Sequence, residues 1–89
     1  MDIVNIQKQK EYINNFDMEI VKKITDIRKT KKVSQKKLAN FLDVTQGGYA
    51  RIERGEVRLS VRTMLIACKY LDIDVITLFK NDNQEENKL

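Results

Sequence analysis

The 89-residue chain has no proline, no tryptophan and no histidine, a single cysteine and only three glycines. Lone Cys68 excludes an internal disulfide framework. With no histidine, no second cysteine and no glycine-rich phosphate loop, nothing assembles a nucleophile–base pair, Cys68 has no partner ligand for a metal, and the scattered carboxylates read as surface charge. An enzyme is therefore not expected, nor a cofactor or metal. No hydrophobic run approaches the roughly 20 residues that span a bilayer. The opening Met1-Asp2-Ile3-Val4-Asn5 has neither a basic n-region nor an apolar h-region. A cytoplasmic protein without a membrane partner is expected.

What remains is rich in Lys, Glu, Ile and Leu, which favours helices joined by short connections. The length suits one small domain with a modest core. The formal charge of +4 is unevenly placed: residues 1–17 carry −1, residues 18–60 carry +6, residues 61–80 carry +1 and residues 81–89 carry −2. Such a basic concentration suits a polyanionic partner better than it suits mere solubility.

Inside the basic segment lies the most structured pattern, residues 34–55. Ser34 and Thr45 are spaced as N-caps of two short helices, each offering a side-chain oxygen to an unpaired first-turn N–H. Leu38, Ala39 and Leu42 share one face of the first helix, Tyr49 and Ile52 share one face of the second, and Val44 is placed to plug the turn. Helices this short must dock on a larger helical body. The outward face then carries Gln46, Gly47, Arg51 and Arg54, the build of a DNA-reading helix-turn-helix.

Gln35, Ala39, Val44, Thr45-Gln46, Ile52-Glu53 and Gly55, in register, resemble the phage-repressor and Cro family of XRE-type helix-turn-helix proteins, over about Met18 to Phe79. The resemblance implies an all-α, compact five-helix lambda-repressor-like DNA-binding domain. It also pairs an arginine near the end of the first helix with the recognition-helix glutamate, positions matched here by Arg28 and Glu53. Such a pair would brace the motif.

The chain around the motif divides into an N-terminal extension over 1–17, a domain over 18–80 and a flexible polar tail over 81–89. Ile3, Ile6, Tyr12, Ile13 and Phe16 suggest a short extra helix in the extension, acting either as a dimer-building or DNA-flanking arm or as simple packing. Asp17 is placed to cap the next helix, Met18 to about Lys31, whose stripe is Ile20, Ile24 and Ile27. Ser60 caps a fourth helix to about Leu71, with Val61, Met64, Leu65, Cys68 and Leu71 toward the core and Cys68 a small buried hydrophobe. Asp72-Ile73-Asp74 breaks it before a last helix from Val75 to Phe79.

The expected contacts follow from this layout. Gln46 can pair bidentately with adenine and Arg51 with guanine. Gly47 and Gly48 stand where the family commonly reads bases; they either are tolerated in a weak first turn or bring bare backbone close to the duplex. Phosphate contacts are expected from Lys31, Lys32, Gln35, Lys36, Thr45, Arg54 and Arg58. Lysines near the first helix's end equally complement its dipole. Tyr49 is expected to pack its ring inward and aim its hydroxyl at the groove rim, within reach of a phosphate. Asp43 replaces the glycine usual in the turn, and aspartate tolerates the left-handed backbone needed there.

The leading functional expectation is a sequence-specific transcription regulator, a repressor binding a palindromic operator of double-stranded DNA as a homodimer, cytoplasmic and nucleoid-associated. The alternative is the antitoxin of a toxin–antitoxin pair, gripping a small toxin with residues 1–17 or 81–89 while binding its own promoter.

Overall fold

The computed structural model describes residues 3–80. Among them are five helices and no strand: α1 Ile3–Thr30, α2 Gln35–Phe41, α3 Gln46–Glu53, α4 Val61–Leu71 and α5 Val75–Leu78. The polar segment over 81–89 lies outside the described residues.

α1 departs from expectation. It runs unbroken for 28 residues, about 42 Å at 1.5 Å per residue, so residues 3–17 form no separate helix and Asp17 caps nothing. No glycine or proline interrupts residues 3–30. Ile6, Ile13, Ile20 and Ile27 recur every seven residues and keep one phase across position 17. A cap contributes about 1 kcal/mol; ending and restarting the helix would forfeit several backbone hydrogen bonds to gain it. The aspartate instead uses its carboxylate sideways, accepting from Arg58 at 3.4 Å.

The C-terminal half of α1 is the shelf on which the rest packs. Ile20 and Ile24 join Leu38 and Ala39 of α2, Tyr49 of α3, Met64, Ala67, Cys68 and Leu71 of α4, and Leu78 of α5 in one core. Lys23 closes the ring, its ammonium donating to the carbonyls of Leu78 and Lys80. Burial pushes the Cys68 thiol pKa up, in keeping with a packed rather than reactive sulfur.

On α4 the inward arc is Met64, Ala67, Cys68 and Leu71, while Val61 and Leu65 remain in solvent, Val61 at 68% exposure. The expected stripe was too wide: Ala67, 1% exposed, belongs to the inward arc, and Val61 and Leu65 lie outside it. Ser60 accepts the Thr63 N–H at 3.1 Å, as its spacing implies.

Candidate nucleic-acid interface

The two short helices at the basic end are built by their caps. Ser34 Oγ accepts the Lys37 N–H at 3.0 Å and opens α2; Thr45 Oγ1 accepts the Gly48 N–H at 2.9 Å and opens α3. Between them the chain turns through Asp43 at φ +59°, the left-handed conformation expected of that position. The turn is closed by Asp43 N–H to Asn40 carbonyl at 3.2 Å and Val44 N–H to Ala39 carbonyl at 3.0 Å. Val44 does not plug the gap; it is 38% exposed, because Leu38, Ala39 and Tyr49 already fill the space between the helices.

Behind α3 lies a buried polar brace. Arg28 donates from Nε to Glu53 Oε2 at 2.7 Å and from Nη2 to Oε1 at 3.1 Å. Its Nη1 donates to the Val33 carbonyl at 2.8 Å, and Gln35 Nε2 donates to Glu53 Oε1 at 2.8 Å. One arginine thus ties α1 to the α1–α2 connection and to the last residue of α3, while Gln35 adds the first residue of α2. Arg28 and Glu53 side chains are only 8% and 7% exposed. Burial opposes ionisation of Glu53, but bonds from Arg28 and Gln35 and the nearby Tyr49 hydroxyl outweigh it and hold its carboxyl below the usual range.

Tyr49 is a correction. At 2% exposure it is among the most buried side chains, so no phosphate can reach it. Burial, reinforced by the neighbouring Glu53 carboxylate, pushes the phenol pKa well up. The core needs a large ring under α3, and the buried ion pair supplies its hydroxyl with polar company.

The outer face of α3 presents Gln46, Gly47 and Arg51, with Arg54 just beyond its end. A Cβ at Gly47 would meet nothing within 4 Å, whereas at Gly48 it would press on Thr45 Oγ1 at 3.0 Å. Gly48 therefore protects the cap, and packing gives no reason for Gly47. Gly55, at φ +79°, ends the helix and turns the chain.

The other expected residues divide in two. Lys32, Lys36 and Gln46 are exposed. Lys32 takes a left-handed backbone at φ +59° that its sequence did not suggest. Lys31 and Arg58 are instead engaged within the protein: Lys31 donates to the Leu71 carbonyl at the end of α4, and Arg58 to Asn14 Oδ1 at 2.9 Å and Asp17 Oδ2 on α1. Thr45 Oγ1 accepts the cap bond, and its hydroxyl proton stays available to a phosphate. One further residue escaped sequence reasoning. Glu56 accepts from Arg54 Nε at 2.6 Å and Nη2 at 3.3 Å, and lies 3.6 Å from Arg51 Nε. The spacing of Glu56 from Arg51 fits no helical repeat; only the turn at Gly55 brings them together.

Residues 17–78 match the family model described as helix-turn-helix. The chain belongs to the phage-repressor and Cro-like helix-turn-helix family. Among curated proteins and among solved structures, nothing matches the chain significantly. The match runs from within α1 through α5 and takes in the whole braced body described above. Its members are DNA-binding transcription regulators, and that is the coarse function of this helix-turn-helix protein. Among the described residues, no helix is long and apolar enough to cross a membrane.

Proposed function

We propose that this protein is a sequence-specific repressor that binds double-stranded DNA as a homodimer, on a palindromic operator, through the major groove. The observation that carries this reading is the rigid placement of α3 by the Arg28–Glu53–Gln35 brace, with Gln46, Gly47 and Arg51 exposed to solvent. Gln46 and Arg51 read adenine and guanine edges, each good pair contributing about 1–3 kcal/mol of discrimination. Gly47, with open space where a side chain would stand, lets the backbone approach the bases. Lys32, Lys36 and Arg54 hold phosphates and fix position rather than sequence. Gln35 both buttresses Glu53 and lies at the N-terminal end of α2.

The dimer is supported by apolar side chains left in water: Tyr12 and Ile13 on α1, Val61 on α4, Ile76 on α5 and Phe79 after it. Three of them adjoin: Tyr12 and Phe79 flank Phe16, each with its ring centroid 6.2 Å from that of Phe16, and Phe79 and Val61 line one groove beside Ile20. A second copy would cover them and set two recognition helices about 34–36 Å apart.

Selection of bound duplexes from a random pool tests the reading, combined with sedimentation of the free protein and of the complex. A palindromic consensus bound by two chains supports it. Binding without sequence preference, or one chain per selected duplex, refutes respectively the base reading or the dimer. A reporter driven from the selected operator then decides repression against activation.

A further inference from the structure

The base-reading surface contains one anion. Glu56 follows Gly55, and its N–H donates to the Arg51 carbonyl at 2.9 Å, so its backbone is pinned over the last turn of α3. From there its carboxylate takes Arg54 through Nε and Nη2 and lies beside Nε of Arg51. Both contacts use the Nε side of a guanidinium. No hydrogen bond among the described residues occupies the Nη1 and Nη2 end of Arg51, the end that would face guanine O6 and N7.

A carboxylate among phosphate-facing arginines weakens attraction to any duplex, because it offsets part of their charge and repels the DNA backbone. The same carboxylate restricts the rotamers of Arg51 before DNA arrives, so less side-chain freedom is lost when a guanine is met. The first effect acts on every sequence; the second returns affinity only where Arg51 finds its base. The first lowers binding everywhere and cancels in the ratio, so it is the second that widens the gap between the right site and all others.

On this basis, and resting on the assignment of Arg51 to base reading, we infer that Glu56 is a specificity-determining positioning residue, holding Arg51 and Arg54 over the exposed face of α3 while suppressing attachment to random DNA.

The test compares the full chain with Glu56→Gln, Arg51→Ala and Asp43→Asn, on a duplex selected by the wild type, its single-base variants and a scrambled duplex of equal length. Asp43→Asn removes an exposed carboxylate from the neighbouring turn, and so serves as the charge control. Glu56→Gln is expected to bind the scrambled duplex more tightly, with a salt slope steeper by about 1. Its ratio of specific to scrambled affinity should fall about tenfold, with the lost preference confined to the base pair that Arg51→Ala also stops reading. Its melting temperature should match the wild type, since all three side chains are exposed. A ratio that falls no further than in Asp43→Asn, or a lost preference at a different base pair, overturns the role of Glu56 alone. A wild type without preference, or a preference that survives Arg51→Ala, overturns the base-reading assignment and the role of Glu56 with it.

Discussion

Two arginine–glutamate pairs meet at the C-terminal end of the recognition helix. Arg28–Glu53 and Arg54–Glu56 close at 2.7 and 2.6 Å, and both glutamates accept two bonds from their arginine. Distance does not separate them; water does. The first pair is nearly sealed, while the second has both partners about half exposed. In the sealed pair each charge depends on the other, because neither can be rehydrated without unfolding. In the open pair water substitutes for either partner at little loss, which leaves its arginine available to a phosphate. The same chemistry is structural on one side of α3 and functional on the other.

The largest test of that contrast is to remove one partner of the sealed pair. Glu53→Ala or Arg28→Ala should destabilise the protein by about 3–5 kcal/mol, the range for leaving a buried charge unpaired. For a domain this small that is a large part of total stability, so thermal melting followed by circular dichroism should show a partly unfolded protein or a melting point lowered by tens of degrees. An apolar replacement of both partners, Arg28→Met with Glu53→Leu, should recover most of the loss. Failure to recover would mean that the bonds to Val33 and Gln35, not the charge pairing, dominate.

Titration sharpens the contrast next. The folded state holds the Glu53 carboxyl below its ordinary value, so the stabilisation is present above the usual glutamate pKa of about 4.3 and is lost as pH falls through the folded value. Tyr49 is shifted upward by burial, so its contribution is complete below the usual tyrosine pKa of about 10 and is lost as pH rises above it. Denaturant unfolding across pH should therefore show weakening at both ends. Tyr49→Phe should flatten the alkaline limb, and Glu53→Gln the acid one. An unchanged acid limb in Glu53→Gln would show that other carboxylates govern it.

The sealed side was also the more legible one. Caps at Ser34, Thr45 and Ser60, and the Arg28–Glu53 pairing implied by family resemblance, needed only local spacing and two matched positions. The rest turned on competition between local signals or on contacts distant in the chain. The merging of residues 3–17 into α1 turned on the phase of a seven-residue repeat outweighing a plausible cap at Asp17. Val61 and Leu65 lie outside the core, while Ala67, easily passed over for its size, lies inside it. The engagement of Arg58 with Asn14 and Asp17 spans more than 40 residues, and Glu56 reaches Arg51 only through a glycine turn. Neither the Arg58 contacts nor the Glu56 contacts have a period that a sequence displays.

The two glycines opening α3 divide along the same line. Ala at position 47 meets open space and should stabilise the protein by about 0.5–1 kcal/mol through helix propensity. Ala at position 48 presses on the Thr45 hydroxyl, so the cap should loosen and the gain should vanish or reverse. If bare backbone at Gly47 approaches the duplex, Gly47→Ala will melt higher yet bind its selected operator more weakly. A variant that is both more stable and equally tight would show that Gly47 is merely tolerated.

The smallest effect on stability belongs to the open pair, and it is the one where function and stability come apart. Arg54→Ala should leave the melting temperature unmoved, because its guanidinium and the Glu56 carboxylate are both hydrated. It should nonetheless weaken binding to selected and scrambled duplexes alike, and lower the salt slope by about 1, as loss of one phosphate contact does. With Arg54 gone, Glu56 keeps only Arg51 within its reach, so preference at the base pair read by Arg51 should persist. Fluorescence anisotropy over a salt series measures both quantities. A melting shift as large as that of the sealed pair would erase the distinction between the two faces of α3, and loss of preference without loss of slope would move Arg54 from phosphate to base.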